Sequence, residues 1–385
     1  MMRILYSLPA IVMCGGVVHF FQVAKRLARK GHLVTIQAPR IEDLGMLPEL
    51  PASVRVVPLR KVTSNLYTLP SERAPLAFLR GFRDLTWGIR NIARQIPPDT
   101  EIVHSGFHPN TEAAHLARKK GWWRGRILEG MHMDPETFLV ESYRKRYAWL
   151  FKDSPRKADH ILTVCEPLKE RLSRYGVPVT NVRNGVDPIF LETPPAGARR
   201  QFPGFVLCSG AISRRKGIDT LLEAFARLRD RFPGLRLVLT GRGSWEQFYR
   251  GLAERLGVLS AVDYRGVVTP AELISLMDAC SVFAFPSWSE GFGLPPLEAM
   301  ARGCAVVTTP TEGSLQYVRD GKNCLLIQPG DTHGLAESIG AILGNPDLAR
   351  SLGEEGRATA VGYTWDKVAD RTEAAMLVEW EQIAR

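Results

Sequence analysis

The stretch SEGFGLPPLEAMARG, residues 289–303, places two carboxylates around a glycine loop and a helix start. Glu290 precedes the glycines, and Glu298 follows a Pro-Pro pair that suits the first turn of a helix. Free N–H groups at such a helix start favour an anion such as a diphosphate. Carboxylates do not bind phosphate, so we expect these two glutamates to accept hydrogen bonds from a sugar and a ribose. The alternative is an ordinary loop followed by a glutamate that complements the helix dipole.

A second cluster lies in CSGAISRRKGIDTLLEAF, residues 208–225, which has the pattern of a strand, a loop and a helix. Its loop carries Arg214, Arg215 and Lys216. Basic side chains there would clamp a diphosphate and stabilise a departing phosphate, and one well-placed donor is typically worth about 3–4 kcal/mol. A solvated basic turn is the alternative. Because both loops follow strands of one predicted domain, we expect them to face one cleft and to bind a nucleoside diphosphate.

Other nucleotide-binding patterns are missing from the sequence. LTGRGSWEQF has Gly241 and Gly243 but Glu246 where a dinucleotide fingerprint has its third glycine. The sequence also contains no Walker-type G-x-x-x-x-G-K-[ST] motif and no D-x-D pair. We therefore expect the basic clamp to replace a metal bridge, and we expect no metal and no cofactor besides the donor substrate.

The segments that must position these loops alternate between strand and helix patterns along the chain. At 385 residues the chain is too long for a single hydrophobic core. RILYSL, a glycine loop and VVHFFQVAKRLARKG followed by LVTIQA predict a first β-α-β unit. The pattern restarts at FVLCSG after a Pro- and Gly-rich stretch, and its last predicted helix before the C-terminal region lies near 333–343. We predict two Rossmann-like, doubly wound α/β domains (1–187 and 204–362), a linker (188–203) and a terminal helix in 363–385 that packs back toward the first domain.

Composition and charge narrow the class of protein. Hydrophobic content of 45% with 23% charged residues is ordinary for a globular chain, and the six scattered cysteines fit a reducing cytosol. The start MMRILYSLPAIVMCGG resembles a signal peptide, but its early proline and glycine pair favour a first strand and loop. Residues 1–190 carry 29 basic and 17 acidic side chains, a net charge of +12, whereas the rest carries 21 and 23, a net charge of −2. The first half therefore favours an acidic partner, with a merely soluble basic surface as the alternative.

Two segments of this basic half mix arginines and lysines with aromatic residues: RKKGWWRGR (118–126) and YRKRYAWLFK (143–152). Such mixtures suit an anionic membrane interface, and they equally suit an acidic or polycyclic acceptor. Core aromatics beside surface charges are the third interpretation. We do not expect nucleic acid, because no recognised binding motif accompanies the charge.

Together these motifs resemble the retaining, GT-B-fold glycosyltransferases of family four, also called glycosyl transferases group 1. SEGFGLPPLEAMARGCAVVTT matches the family's E-x7-E signature, and ADHILTVCEPLKERL, NVRNGVDP, GKNCLLIQPGD and YTWDKVAD resemble other family stretches. The resemblance implies two domains facing each other across a cleft. It also implies sugar transfer from a nucleotide-sugar donor, with Glu290 at the sugar hydroxyls and Glu298 at the ribose. The donor's phosphates and sugar would meet the backbone of Gly291, Phe292, Gly293 and Leu294.

Further positions follow from the same resemblance. Lys216 matches the family's phosphate-binding lysine, but Ala211 stands where the family often has arginine, so Arg215 or Arg214 is expected to substitute. Val267 and Val268 would meet the nucleobase. Gly15 and Gly16 resemble the glycine loop near the phosphate and the acceptor. His132 matches the histidine near the transferred sugar and His104 matches more loosely, although a lone histidine after a strand is more often structural.

The sequence thus predicts a metal-independent retaining transferase, with His132, Glu290, Lys216 and Arg215 as its catalytic residues. No carboxylate of the first half stands out as a nucleophile, so the resemblance implies front-face departure, in which the leaving phosphate accepts the acceptor's proton. The expected acceptor is a glycan, a glycolipid or a small molecule. The expected location is the cytoplasm, with peripheral contact at the inner face of the membrane. A same-fold nucleotide-sugar 2-epimerase and a non-catalytic sugar-nucleotide-binding protein are the rival functions.

Overall fold

The structure is a computed structural model in which two compact units are distinguished. They are Met1–Arg183 with Trp365–Arg385 (unit 1) and Asn184–Thr364 (unit 2). For residues 75–81 only the helical backbone is described. The described residues are 1–12, 14–42, 45, 47–62, 75–106, 108–134, 151–193, 202 and 204–383.

Unit 1 is built on a parallel sheet with the strand order β3-β2-β1-β4-β5-β6-β7 among the described residues. Its order reverses direction between β1 and β4, so the loops after these two strands lie at a topological switch point. The strands are β1 (Arg3–Ser7), β2 (Leu33–Ala38), β3 (Arg55–Pro58), β4 (Ile102–Ser105), β5 (Arg126–Met131), β6 (His160–Thr163) and β7 (Val179–Asn181). The helices are α1 (Gly15–Arg29), α2 (Pro75–Arg94), α3 (His108–Lys119) and α4 (Glu166–Leu172).

The first β-α-β unit forms as its periodicity predicts. Val17, Phe20 and Leu27 recur at helical spacing on α1, and all three are buried. Gly31 follows the helix with a φ of 92°, the left-handed conformation that ends many helices, and β2 begins two residues later. The residues RILYS therefore form a central strand, in agreement with the sequence prediction for the start of the chain.

Unit 2 repeats the architecture with the strand order β10-β9-β8-β11-β12-β13, and its strands are again parallel. The order reverses between β8 and β11, so the two loops predicted to carry chemistry flank its switch point. The strands are β8 (Phe205–Ser209), β9 (Arg236–Thr240), β10 (Val262–Gly266), β11 (Val282–Phe285), β12 (Val306–Thr308) and β13 (Leu325–Leu326). The helices are α5 (Pro188–Leu191), α6 (Ile218–Arg231), α7 (Glu246–Arg255), α8 (Pro270–Ala279), α9 (Leu294–Ala301), α10 (Thr332–Gly344) and α11 (Pro346–Ala360).

The terminal helix α12 (Trp365–Glu381) belongs to unit 1 and lies along α1. Its Glu379 carboxylate is 2% exposed and accepts from Arg126 at 2.5 Å, with His160 at 3.2 Å. Ion pairs of Asp366 with Arg26 and of Asp370 with Lys30 add to the contact. An acidic helix thus returns to the basic part of the chain.

The structure differs from the sequence prediction in two places. Helix α11 was not predicted, since the last helix expected before the C-terminal region lay near 333–343. The Asn345 side chain caps this additional helix, and Pro346 lies in its first turn. Within the predicted linker, Pro188–Leu191 form a short helix capped by Asp187, and residues 194–201 and 203 lie outside the described residues. The first domain was predicted to end at residue 187, and unit 1 ends four residues earlier, at Arg183. The terminal region was predicted to begin at residue 363, and unit 1 resumes two residues later, at Trp365.

Candidate active site

The loop 287–293 of unit 2 connects the end of β11 to the start of α9. Gly293 precedes the helix with a φ of 84°, and a Cβ there would lie 2.8 Å from the Tyr317 hydroxyl oxygen. That hydroxyl donates a hydrogen bond to the Gly293 carbonyl at 2.5 Å. Pro295 and Pro296 occupy the first turn, where their missing N–H groups cost nothing. The glycine and the tyrosine together fix the angle at which the helix start leaves the loop.

Glu290 forms the centre of a charged cluster at this loop. Its Oε1 atom lies 2.7 Å from Lys216 Nζ and 3.2 Å from Arg215 Nη1, and it accepts a hydrogen bond from Ser287 Oγ at 2.6 Å. Burial raises the pKa of this carboxyl, but Lys216 and Arg215 outweigh the burial and lower the pKa below its usual value. Glu290 is therefore a fixed, ionised acceptor.

Lys216 reaches the cluster from the loop after β8. A tight turn at Arg214–Lys216 ends at Gly217, whose φ is 63° and whose Cβ would lie 2.1 Å from the Pro286 carbonyl oxygen. The two loops touch there, so only glycine fits. The Lys216 side chain is 9% exposed and its ammonium also lies 4.6 Å from the centre of the Phe285 ring. An ammonium and a carboxylate are thereby held together at the sheet edge.

The two neighbouring arginines point to different places. Arg215 donates to the Ser289 carbonyl at 2.5 Å and joins the Glu290 cluster. The Arg214 guanidinium instead lies 5.9 Å from the centre of the Trp245 ring. Ala211, at the position where the family often has arginine, is exposed. Of the two candidates for the missing cation, Arg215 is the one that the structure brings to Glu290.

Glu298 lies on α9, eight residues after Glu290 and partly exposed. Burial, and secondly the negative charge of Asp187, raise the pKa of its carboxyl to about 7. Near neutral pH this group can accept hydrogen bonds as a carboxylate or donate one as a carboxylic acid. Both roles are suited to hydroxyl groups.

The remaining predicted positions of unit 2 occupy the same edge of the sheet. Phe292 is buried and its ring centre lies 5.6 Å from that of Tyr317. Gly291 and Leu294 are partly exposed on either side of it, so the backbone at the helix start stays accessible. Val267, 45% exposed, and Val268 follow β10, where Gly241 donates a backbone hydrogen bond to the Gly266 carbonyl at 2.6 Å. Strands β9 and β8 lie between β10 and β11 in the sheet, so these valines and Glu290 follow strands that are not neighbours.

The predicted residues of unit 1 form a separate group of rings and glycines. A Cβ on Gly16 would lie 3.8 Å from His132 Nδ1, so the glycine loop before α1 adjoins this histidine, with Gly15 as the first residue of the helix. The His132 ring stacks on Phe20 at 5.6 Å, and burial, His19 and His104 lower its pKa well below the usual value. His132 is therefore a neutral imidazole.

His104 is placed differently from His132. It is fully buried in β4, and neither of its ring nitrogens has a hydrogen-bond partner among the described residues. Burial and His19 lower its pKa to about 3. A buried neutral ring of this kind is a packing element, so the structural interpretation of His104 is favoured.

Sequence reasoning missed three groups that shape the site. Ser287 holds Glu290 and adjoins the recognised motif, so its position could have suggested it. Asp187 raises the pKa of Glu298, and Tyr317 fixes Gly293, but both are distant in sequence and carried no local signal. Among the described residues, no group of three His, Cys, Asp or Glu side chains is placed to hold a metal ion.

Comparison with solved structures defines the fold class. The chain superposes on sucrose-phosphate synthase from Thermosynechococcus elongatus with a TM-score of 0.77 at 20% identity, covering 97% of this chain and 98% of that one. It superposes on HepE from Anabaena in complex with UDP and glucose with a TM-score of 0.74 at 20% identity, covering 98% and 100%. The fold is GT-B, with two Rossmann-like units.

Sequence comparison gives the family. The model for glycosyl transferases group 1 matches residues 192–359, and that for glycosyltransferase family 4 matches residues 13–190. A glycogen synthase of Mycobacterium tuberculosis (strain ATCC 25618 / H37Rv) is 26% identical over 96% of this chain and 93% of its own length. The chain belongs to this family of glycosyltransferases, and the resemblance inferred from the motifs is confirmed. In the part of the chain that the structure describes, no helix has the length and apolar character of a membrane span.

Proposed function

We propose that the protein is a retaining, metal-independent glycosyltransferase that moves a sugar from a nucleoside-diphosphate sugar to a hydroxyl acceptor. The observation that carries the proposal is the cluster of Lys216, Arg215 and Ser287 around Glu290. Two cations share one carboxylate there, so the cluster keeps a positive charge. A diphosphate would take up that charge, and the carboxylate would be left to the hydroxyls of the sugar.

The proposed role of Lys216 and Arg215 is to stabilise the departing diphosphate. Charge grows on the phosphate oxygens as the bond to the sugar breaks, and fixed cations lower the barrier without reorganisation. The N–H groups of the loop from Gly291 to Leu294 and of the α9 start would add partial positive charge. Because two cations are already in place, the proposal needs no metal ion.

The two glutamates are proposed to orient the donor. Glu290, held ionised by its cations, would accept from the sugar hydroxyls, while Glu298, with its pKa near 7, would pair with the ribose hydroxyls. His132 of unit 1, kept neutral, could accept or donate one hydrogen bond at the transferred sugar. For retention we propose front-face departure, with the leaving phosphate taking the proton of the acceptor hydroxyl.

The proposed acceptor is a hydroxyl group, which a glycan, a lipid-linked molecule or a small molecule can each supply. The proposed place of action is the cytoplasm, which the six cysteines support, since none of them forms a disulfide and unoxidised thiols suit a reducing compartment. The basic charge of residues 1–190 further supports peripheral contact with an anionic membrane.

The test is nucleoside-diphosphate release from a panel of UDP-, GDP-, ADP- and dTDP-sugars, with EDTA present throughout. UDP-glucose comes first, because the structural neighbour HepE binds UDP and glucose. We expect release from one donor, unchanged by EDTA, and an α-linked product from an α-linked donor. Strong loss with EDTA would overturn metal independence. Conversion of the donor without any acceptor product would favour the epimerase, and donor binding without turnover would favour the non-catalytic binder.

A further inference from the structure

The outward face of α2 in unit 1 combines arginines with exposed aromatic rings. Arg83, Trp87, Arg90 and Arg94 follow one another at intervals of four, three and four residues, which places them on one stripe of an α-helix. All four are exposed, and Trp87 exposes 49% of its surface. Phe82, 38% exposed, borders the stripe. Three cations are thus flanked by two large apolar side chains that face water.

The stripe continues into the turn after α3. The Arg94 guanidinium lies 5.3 Å from the centre of the Trp122 ring, and Trp122 is 37% exposed. Its neighbour Trp123 is buried and donates to the Thr100 carbonyl at 2.6 Å, so the Trp-Trp pair divides between core and surface. We define the arginine–tryptophan face as the exposed side chains of the α2 stripe together with Trp122 and the exposed basic residues that flank it in sequence: Phe82, Arg83, Trp87, Arg90, Arg94, Lys119, Lys120, Trp122 and Arg124.

Core packing does not account for these exposed rings. The opposite side of α2 supplies Leu85, Ile92 and Ala93 to the core cluster, where they join Ala113 and Ala117 of α3. The helix therefore already buries one apolar side. Among the described residues, Asp84 is the one acid that forms an ion pair with this outer side, and its carboxylate lies 3.3 Å from Arg83. One carboxylate against six cations leaves the face strongly positive.

We propose that the arginine–tryptophan face docks the protein on the surface of an anionic lipid bilayer. Lipid phosphates would take the arginines and lysines, and the Phe82, Trp87 and Trp122 rings would enter the interfacial layer, where amphipathic aromatics are favoured. Charge alone would also suit an acidic polysaccharide, but the exposed rings between the cations match a bilayer interface. The inference deepens the proposed function, on which its biological role rests, by locating the membrane contact on named residues.

The test is co-sedimentation of the full chain with vesicles of pure phosphatidylcholine and of phosphatidylcholine containing about 30% phosphatidylglycerol, at about 0.1 M salt. We expect binding to the anionic vesicles only. The triple variant Arg83→Glu, Arg90→Glu, Arg94→Glu should weaken that binding by at least about 100-fold, since each basic residue near an anionic surface contributes about fivefold. The pair Phe82→Ser, Trp87→Ser should weaken it by about tenfold or more while leaving the net charge unchanged.

The matched control is Arg227→Glu, Arg236→Glu, Arg255→Glu, which changes the charge equally at exposed arginines of unit 2. It should bind vesicles as the unaltered protein does. Equal loss in the control and in the face variant would overturn the proposal. So would equal binding to neutral and anionic vesicles, or binding to an acidic polysaccharide with none to vesicles. Donor turnover, measured without lipid, is a separate readout: its absence beside normal vesicle binding would overturn the enzyme proposal and keep the docking face.

Discussion

The two units share a sheet topology but present opposite chemistry at their switch points. In unit 2 the loops after β8 and β11 bring the side-chain nitrogens of Lys216 and Arg215 within 3.2 Å of one carboxylate oxygen of Glu290. All three side chains are charged. In unit 1 the corresponding edge holds His132 and Phe20, neutral rings in contact. Parallel strands thus fix where loops meet, and the residue types in the loops decide whether the meeting point carries charge.

Under the proposed function, this difference would give the two units separate tasks. A charged cluster suits the diphosphate and the sugar of a donor, because its cations and its carboxylate address different parts of one molecule. A neutral surface of glycine backbone and aromatic rings lets a ligand approach closely and has no strong preference for the ligand's charge. The net charge of the two halves shows the opposite distribution, because the excess of basic residues lies in residues 1–190.

The first prediction removes the centre of the charged site. Glu290→Gln should lower the rate of transfer by about 10³, because the acceptor for the sugar hydroxyls is neutralised and the buried Lys216 and the partly exposed Arg215 lose their partner. The measurement is steady-state turnover beside the melting temperature. Glu337→Gln, at an exposed glutamate of unit 2, should leave the rate unchanged. Near-normal turnover of a folded Glu290→Gln protein would remove the charged cluster from the chemistry.

A second prediction separates the two arginines. Arg215→Ala should lower kcat by about 10², because it removes one cation from the proposed phosphate site. Arg214→Ala is the matched control and should change kcat by less than about fivefold, since its guanidinium lies over Trp245 instead. The reverse ranking would show that Arg214 replaces the cation missing at Ala211.

The third prediction uses pH to probe Glu298. Its pKa, near 4.5 in the unfolded chain, is raised to about 7 in the fold, so between these values the folded state binds more protons than the unfolded state. Stability contributed by this group is therefore lost as pH rises through 7. From pH 5 to pH 8, the unfolding free energy of the unaltered protein should fall by about 2 kcal/mol relative to Glu298→Gln. Urea unfolding of both proteins at both pH values measures this, and parallel pH profiles would contradict it.

The smallest expected effect tests the neutral character of unit 1. His104→Leu should raise the unfolding free energy by about 1 kcal/mol, because a buried ring with no hydrogen-bond partner in the described part of the chain is replaced by an apolar side chain of similar size. The matched control is His108→Leu at another buried histidine, which lies 2.7 Å from Glu129 and whose loss should destabilise the fold. Destabilisation by His104→Leu with loss of turnover would instead give His104 a functional role.

Most of the scaffold could be predicted because its signals are local. Apolar spacing predicted α1, continuous apolar runs predicted the central strands, and the E-x7-E stretch predicted both glutamates and the helix that begins between them. Helix α11 was missed, although Asn345 and Pro346 are a cap residue and a first-turn proline that suit a helix start. Of the basic and aromatic segment 143–152, Phe151 and Lys152 belong to the described residues, and residues 143–150 lie outside them.

The sequence by itself determined the family, the two α/β units and the residue types of the site, since each depends on patterns within about 20 consecutive residues. Only the tertiary structure decided which arginine joins Glu290, that Glu298 titrates near neutral pH and that the His104 ring nitrogens have no hydrogen-bond partner among the described residues. It also decided that the Trp122 side chain is exposed and the Trp123 side chain is buried. These properties depend on groups distant along the chain, because burial and charge act through space and leave no mark on local spacing.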